Sequence, residues 1–248
     1  MIKTILFIFI LIHGLIHLLG FVKGFDLVNT SNFSGKALFP LSKDLGHMLA
    51  ILWLAACVCF LLSGTAILLR KEWWWMLATI AIILSQVLVI IYWKDARFGT
   101  VANILLLPVI IVSFANWSFN KMVAMEVKGI MAYAPPNDHK TITPEMTERL
   151  PYCVQKWLLR SGAVGKQEVH KVYLKQRGAM CTEPGGKWLP MEAEQYFTID
   201  RPAFIWRADV QMKPFVKLAA RDKYENGRGN MLIKALALIP VVNAGGKA

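Results

Sequence analysis

The stretch TVANILLLPVIIVSFANW, residues 100–117, divides this sequence into two parts of different composition. Three further apolar runs precede it. Each run is about 18–24 residues long, which at ~1.5 Å per residue is enough to cross a ~30 Å hydrocarbon layer. Beyond it charge increases, because residues 120–248 carry 20 Lys/Arg and 12 Asp/Glu against 8 and 4 in residues 1–119. We therefore predict a transmembrane domain followed by a water-exposed domain.

The apolar runs predict four transmembrane helices within a domain of residues 1–119, at about residues 4–22, 46–69, 73–93 and 100–117. The charged loops between the last three runs are so short that neighbouring helices must be antiparallel. We expect the first run to be a transmembrane span and not a signal peptide, because no small-residue cleavage site follows it. With five Lys/Arg near each side of the membrane, charge does not set the orientation.

Residues 120–144 are predicted to be a linker, with a turn at Pro135-Pro136-Asn137-Asp138. Residues 145–248 then form the second domain. It begins with a helix from Glu145 to about Gly162, and we expect Pro151 to kink this helix or divide it in two.

After Gly165 the apolar residues recur with a period of two, which is typical of strands with one buried face. The clearest case is Phe204–Met212, where one face carries Phe204, Trp206, Ala208, Val210 and Met212 and the other carries Ile205, Arg207, Asp209 and Gln211. Turns at Lys213-Pro214 and Glu225–Gly229 separate it from further strands at Phe215–Arg221 and Met231–Val242. The predicted fold is an α+β membrane protein, in which a four-helix transmembrane bundle precedes a helix and a curved antiparallel sheet with one wet face.

The net charge of +12 does not indicate nucleic acid as a partner, because Lys and Arg alternate with Asp and Glu instead of clustering. A solvated basic surface and a surface facing lipid headgroups both remain open. Cys57 and Cys59 lie within an apolar run and are expected to be packing residues. Cys153 and Cys181 would form a disulfide only in an oxidising compartment, and the sequence leaves this open.

Several short motifs are spread along the second domain, each occurring once. They are Leu150-Pro151 with Val154-Gln155, Gln176-Arg177-Gly178, Trp188 with Glu192-Ala193 and Gln195-Tyr196, Phe204–Ala208, Asp222-Lys223-Tyr224 and Gly227-Arg228-Gly229. On these residues the chain, from about Leu150 to Gly246, resembles an uncharacterised bacterial family of membrane-anchored proteins with a domain of unknown function. The resemblance implies a bacterial cytoplasmic (inner) membrane location with the β domain outside the cytoplasm, and it carries over no catalytic residue.

Members of that family usually continue with further strands beyond the point at which this chain ends. The resemblance therefore implies an incomplete sheet with an open edge, which invites pairing with another chain. A looser similarity to the half-barrels of lipoprotein carriers implies a concave face that holds acyl chains.

Histidines in the spans are candidate metal ligands. His13 and His17 share one face of the first span, and His47 opens the second. Haem would take axial ligands from two helices, such as His17 and His47, and copper or another transition metal would use the His13/His17 face. The alternatives are hydrogen bonding of neutral imidazoles across the bundle, and a quinone or proton-relay role. Gln86 and Asn103 are expected to form interhelical hydrogen bonds.

Three functions follow from these patterns. The first is a membrane protein whose non-catalytic β domain binds a lipid, another apolar ligand or a partner protein on Phe204, Trp206, Val210 and Met212. The second is a redox or metal protein that uses His13, His17 and His47 for haem or a metal ion. The third is a structural subunit of a larger assembly. No catalytic motif such as GxSxG or HExxH occurs in the sequence, which argues against an enzyme without excluding one, and His139 and His170 are interpreted as surface groups.

Overall fold

The computed structural model describes residues 2–27, 34–133, 140–181, 183–214 and 216–247. The chain divides into two compact units, Met1–Trp117 and Ser118–Ala248. The predicted turn at residues 135–138, His139 and the first residue of the predicted strand Phe215–Arg221 lie outside the described residues.

Unit 1 contains long apolar helices, as the sequence predicted. Its helices are α1 (Ile2–Gly24), α2 (Lys43–Leu68), α3 (Trp74–Ile91), the four-residue α4 (Trp93–Ala96) and the first part of α5 (Gly99–Met131). Helices α1, α2, α3 and α5 are each long and apolar enough to cross a membrane. The predicted set of four candidate spans is therefore confirmed.

Helices α1 and α2 approach each other closely at glycines of α1. A Cβ at Gly14 would lie 2.7 Å from the Cβ of Phe60, and a Cβ at Gly20 would lie 2.4 Å from the ring of Trp53. Small residues permit such close approach in lipid, where van der Waals packing drives helix association. The same contact brings both aromatic rings to 5.2 Å from the His17 ring.

Helix α5 is longer than the predicted fourth span, because it continues to Met131 through residues expected to form a linker. In this α5 extension (residues 118–131), Phe119, Val123 and Ile130 are buried. Their spacing places them on one face of the helix. After Trp117 the helix continues, but its surface changes from apolar on all sides to apolar on one face only.

Two short helices follow in unit 2, α6 (Pro144–Thr147) and α7 (Tyr152–Arg160). The predicted helix Glu145–Gly162 is thus divided next to Pro151, one of the two outcomes expected from that proline. Helix α7 ends in a Schellman motif. Gly162 adopts a φ of +69°, and the N–H of Ala163 donates to the carbonyl of Leu158 at 3.1 Å.

The rest of unit 2 is an open antiparallel sheet of six strands in sequential order, which confirms the predicted α+β class. The strands are β1 (Lys171–Met180), β2 (Leu189–Thr198), β3 (Ala203–Lys213), β4 (Val216–Glu225), β5 (Arg228–Ala235) and β6 (Ile239–Lys247). The predicted turn between β4 and β5 is present at Asn226-Gly227, where both residues have positive φ, as a type I′ turn requires.

The prediction of one strand over Met231–Val242 was wrong, because the chain reverses at Leu236 and Ala237. These residues have φ of 53° and 57°, and the N–H of Leu238 donates to the carbonyl of Ala235 at 3.0 Å. Leucine and alanine rarely adopt this left-handed conformation. The sequence at this turn therefore carried no turn signal.

Cross-strand partners in an antiparallel sheet lie on the same face. The apolar face carries Phe204, Trp206, Ala208 and Val210 of β3, as predicted, together with their cross-strand partners. The opposite, charged face carries Arg207 and Asp209. Met212 lies at a β-bulge between Gln211 and Lys213, so the alternation does not fix the direction of its side chain.

The charged face is wet only in part: the α5 extension packs on it near Arg207 and Arg221, whereas Arg177 and Glu192 are 85% and 71% exposed. The Arg207 guanidinium donates to Asn120 Oδ1 at 2.8 Å, and Arg221 Nε lies 3.1 Å from Glu126 Oε2. Ile205, on the same face, is fully buried. This hydrogen bond and this ion pair let a charged sheet face serve as a packing surface.

Candidate functional site

A buried polar network joins α1, α3 and α5 within unit 1. His13 Nε2 lies 2.9 Å from Asn103 Oδ1, and His17 Nε2 lies 2.8 Å from Ser85 Oγ. The Asn103 amide donates to Ser85 Oγ and to Gln86 Oε1, both at 3.0 Å. The two histidines, Ser85 and Asn103 are at most 5% exposed. Polar groups buried in this way need partners, and here they find them in one another.

The directions of these hydrogen bonds fix the tautomers of both histidines. His17 Nδ1 lies 2.8 Å from the carbonyl oxygen of His13, which can only accept, so Nδ1 carries the proton. Nε2 of a neutral His17 then accepts from the Ser85 hydroxyl. Since Asn103 Oδ1 is also an acceptor, His13 donates from Nε2. The network is therefore complete with both imidazoles neutral and in opposite tautomers.

The three predicted metal-binding histidines are not brought together as one set. The His13 and His17 rings lie 4.9 Å apart, whereas His47 stacks on Phe25 at 4.8 Å. Within the described ranges, no group of three or more His, Cys, Asp or Glu side chains could hold a metal ion. A metal on His17 would have to displace Ser85 or the backbone carbonyl, and metal binding stays a prediction.

Gln86 and Asn103 form interhelical hydrogen bonds, as predicted, and Gln86 Nε2 also donates to Thr100 Oγ1 at 3.2 Å. The sequence reading missed Ser85, which connects His17 to Asn103. Ser85 could have been identified from the sequence, because Ser85 and Gln86 are adjacent polar residues within an otherwise apolar span. Two neighbouring polar residues there indicate a polar contact between helices.

The apolar face of the sheet holds the second candidate site. Its hydrophobic cluster consists entirely of strand residues: Ala193, Ala208 and Ala220, with Met191, Trp206 and Ile233 packed against them. The three alanines pair directly across β2, β3 and β4. Trp206 Nε1 donates to Gln176 Oε1 at 2.8 Å, which holds the indole in place beside this row of small residues.

The other predicted ligand-binding residues differ in exposure. Phe204 lies between the rings of Phe197 and Tyr224, each at 6.2 Å. Val210 is buried and Met212 is 43% exposed. Helix α7 has no buried residue, so it does not form a packed core on this face. Ligand binding by these residues stays a prediction.

The charged face has a cavity of about 460 Å³ near the middle of β1, β2 and β3. Each acid in it contacts a base of the same cavity, in the pairs Arg177–Glu192 at 3.0 Å, Lys175–Glu194 at 3.7 Å and Arg207–Asp209 at 3.0 Å. Such mutual pairing leaves the cavity without net charge, so it suits neither an anion nor a cation particularly well.

Two tyrosines hold the Glu194 carboxylate of this cavity. Tyr173 and Tyr196 each donate a phenolic hydrogen bond to it at 3.1 Å, and their rings stack at 4.8 Å. Burial, followed by the negative charge of Glu194, raises the pKa of Tyr196 to about 12. This tyrosine is therefore a hydrogen-bond donor at physiological pH and not a base.

All four cysteines are free thiols. Cys153 is exposed, and Cys181 donates to the carbonyl oxygen of Glu183 at 2.9 Å. The disulfide that the sequence left open is thus not formed in this structure.

Residues 140–248 match the model of a family described as a family of unknown function (DUF6544). The match confirms that the second domain resembles an uncharacterised family, and it covers α6, α7 and the whole sheet. No curated protein and no solved structure matches the chain.

Proposed function

We propose that this membrane protein binds a lipid, or another apolar ligand, on the apolar face of its sheet. The observation that carries the proposal is the side on which the α5 extension packs. It occupies the charged face through Asn120 and Glu126, while, among the residues that the structure describes, the cluster on the apolar face consists of strand residues. An apolar surface of this kind on a folded domain is typical of a binding site.

The row of alanines suits an extended methylene chain. Ala193, Ala208 and Ala220 are each at most 6% exposed and form the base of a row across three strands, so a bound chain would contact mainly the half-buried Trp206 and Ile233 beside it. Each CH₂ group that is removed from water on such a surface contributes ~0.8 kcal/mol. No proton transfer or nucleophile is needed, so the proposed activity is binding without catalysis.

Photo-cross-linking of the full chain tests this proposal. The protein is reconstituted in vesicles containing palmitic acid with a diazirine in its chain, irradiated, and digested for mass spectrometry. Cross-links to the spans are expected whether or not the sheet binds lipid. The proposal additionally requires cross-links on β2–β5 that excess unlabelled palmitic acid removes. Cross-links confined to the spans would refute it.

Two variants test the site, and the circular dichroism of each must match that of the unchanged protein, because Ala208 is fully buried and a larger side chain there can disturb packing. Ala208→Phe fills the row of alanines and is expected to reduce cross-linking to the sheet about tenfold, the effect of losing ~1.4 kcal/mol of affinity. Ala179→Phe adds the same ring at an exposed position of β1 on the opposite face. It should leave cross-linking unchanged, and an equal loss in both variants would argue against a site on the apolar face.

The proposed location is a bacterial cytoplasmic membrane with the sheet domain outside the cytoplasm. The exposed position of Ala179 on β1, away from α7, allows a direct test: a membrane-impermeant maleimide would reach Ala179→Cys in intact cells, in a chain whose own cysteines are replaced. Labelling only after the cells are opened would place the domain in the cytoplasm.

The His13/His17 network supports a second candidate function, binding of a metal ion, haem or a transferred proton within the membrane. What favours it is the burial of two imidazoles that share one polar network. The purified full chain would then contain metal, or absorb visible light, and His17→Ala would abolish that property.

Pairing of an edge strand, β1 or β6, with another chain is a separate possibility. The same preparation would then contain a protein partner in stoichiometric amount.

A further inference from the structure

Helix α7 exposes an apolar arc although it belongs to a folded domain. Cys153, Val154 and Trp157 project from adjoining positions of the helical surface, and Leu150 precedes them. Trp157 is 66% exposed, and the other three are also exposed. Large aromatic residues on such a surface indicate that something covers it.

The helix is well formed despite this exposure. Nine residues are too few to be stable as an isolated helix in water, and no side chain caps the N-terminus of α7, but contacts with the flanking residues support the helix. The side-chain amide of Gln155 donates to the carbonyls of Glu148 and Leu150 at 3.1 Å and 2.8 Å, and the Schellman motif at Gly162 closes the C-terminus. The domain therefore presents α7 in a fixed conformation with its apolar arc outward.

The charge of α7 identifies the partner. Lys156 and Arg160 are exposed and border the arc, Arg149 lies just before the helix, and α7 itself contains no acidic residue. A short helix with Trp on one side and Lys and Arg beside it has the pattern of helices that lie in the headgroup layer of a bilayer. Long basic side chains reach from that depth to the phosphates.

We propose that α7 is an interfacial anchor that lies flat in the headgroup layer of a membrane containing anionic lipid. Trp157, Val154 and Cys153 enter the boundary of the acyl chains, and Lys156 and Arg160 contact lipid phosphates. Because the same chain has four helices able to span that membrane, the lipid surface is present at a high effective concentration. This inference does not depend on ligand binding by the apolar face of the sheet.

A nitroxide spin label attached to Cys153 tests the proposal. The full chain carries Cys57→Ala, Cys59→Ala and Cys181→Ser, so that the label reacts at one site, and it is reconstituted in phosphatidylcholine vesicles with phosphatidylglycerol. Electron paramagnetic resonance then compares collisions of the label with oxygen, which concentrates in lipid, and with a water-soluble nickel chelate. The matched control places the label at Lys156→Cys in a Cys153→Ser background.

The expected result is a severalfold higher ratio of oxygen to nickel collisions at position 153 than at position 156. Adding Trp157→Ser should move the label at 153 toward water, while the circular dichroism of the protein stays unchanged. Equal and high nickel access at both positions would overturn the proposal. Shielding of position 153 from both reagents would also overturn it, because that result indicates a protein partner.

Discussion

Glu126 and Arg221 form an ion pair at 3.1 Å between the α5 extension and strand β4. The Arg221 side chain is 7% exposed, and its guanidinium also donates to the carbonyl of Asn230 at 2.8 Å. The Glu126 contact meets the distance of an ion pair but not the angle of a hydrogen bond. The pair joins the α5 extension to the charged face of the sheet.

Glu126→Ala is expected to lower the free energy of unfolding of the sheet domain by about 3 kcal/mol, because it leaves Arg221 buried with its charge only partly compensated. Denaturant unfolding of the full chain in detergent would measure this. The matched control is Glu192→Ala, since Glu192 and its partner Arg177 are 71% and 85% exposed. Glu192→Ala should lower the free energy of unfolding by less than about 1 kcal/mol. Equal losses in the two variants would mean that burial does not determine how much an ion pair stabilises the domain.

Asn103→Ala should destabilise the helical unit by about 2 kcal/mol, because it removes hydrogen bonds to His13, Ser85 and Gln86 that are each worth ~0.6 kcal/mol in lipid. Asn116→Ala on the same helix is the control, because its amide donates within α5 to the carbonyl of Val112. Unfolding in mixed micelles compares the two variants. A larger loss in the control would contradict the role of the network.

The tautomers of the buried histidines can be observed directly by ¹⁵N solid-state NMR of the reconstituted protein. We expect His17 to carry its proton on Nδ1 and His13 on Nε2, because His17 donates to a backbone carbonyl and His13 to an amide oxygen. Ser85→Ala should change the Nε2 resonance of His17 by removing its donor. Detection of His17 protonated on Nε2 alone would refute the assigned network.

Tyr196 should ionise well above the ordinary range of a tyrosine side chain. Its pKa of about 12, against an ordinary value of 10.0, means that the folded state holds the phenolic proton more tightly than the unfolded state. The stability that this proton contributes is fully present below pH ~10 and is lost as the pH rises toward 12. Tyrosinate absorbance should show a late component that Tyr196→Phe removes.

Glu194→Gln should lower the pKa of Tyr196 without restoring the ordinary value, because burial is the larger cause of the shift. If the tyrosinate absorbance that develops late in the titration were unchanged in Tyr196→Phe, that absorbance would belong to another tyrosine.

The two hairpin turns of β4–β5 and β5–β6 should respond oppositely to exchange of alanine and glycine. Ala237→Gly relieves a non-glycine residue at a φ of 57° and should stabilise the domain by ~1 kcal/mol. Gly227→Ala places a Cβ at a φ of 72° and should destabilise it by a similar amount. Thermal unfolding would measure both, and destabilisation by Ala237→Gly would show that the lost methyl contact matters more than the backbone conformation.

The sequence by itself determined the four apolar helices and the alternation of strand β3. These features are local, because a bilayer requires about 20 consecutive apolar residues and a half-buried strand requires a period of two. The spacing of His13 and His17 likewise placed both on one helical face. The break in the helix at Pro151 and the turn at Asn226-Gly227 also follow from single residues with restricted or unusual backbone preferences.

Only the tertiary structure decided which partners these elements meet. The contact between Arg207 and Asn120 joins residues 87 positions apart, and no local pattern specifies it. Ser85 completes the histidine network only because the fold brings α3 within hydrogen-bonding distance of His17 on α1. The reversal at Leu236 and Ala237 is imposed by pairing of β5 with β6 against the preference of both residues. Long-range packing compensates local conformational costs that a sequence pattern does not reveal. It also determines that the α5 extension packs on the charged face of the sheet, and that the described apolar cluster on the other face consists of strand residues.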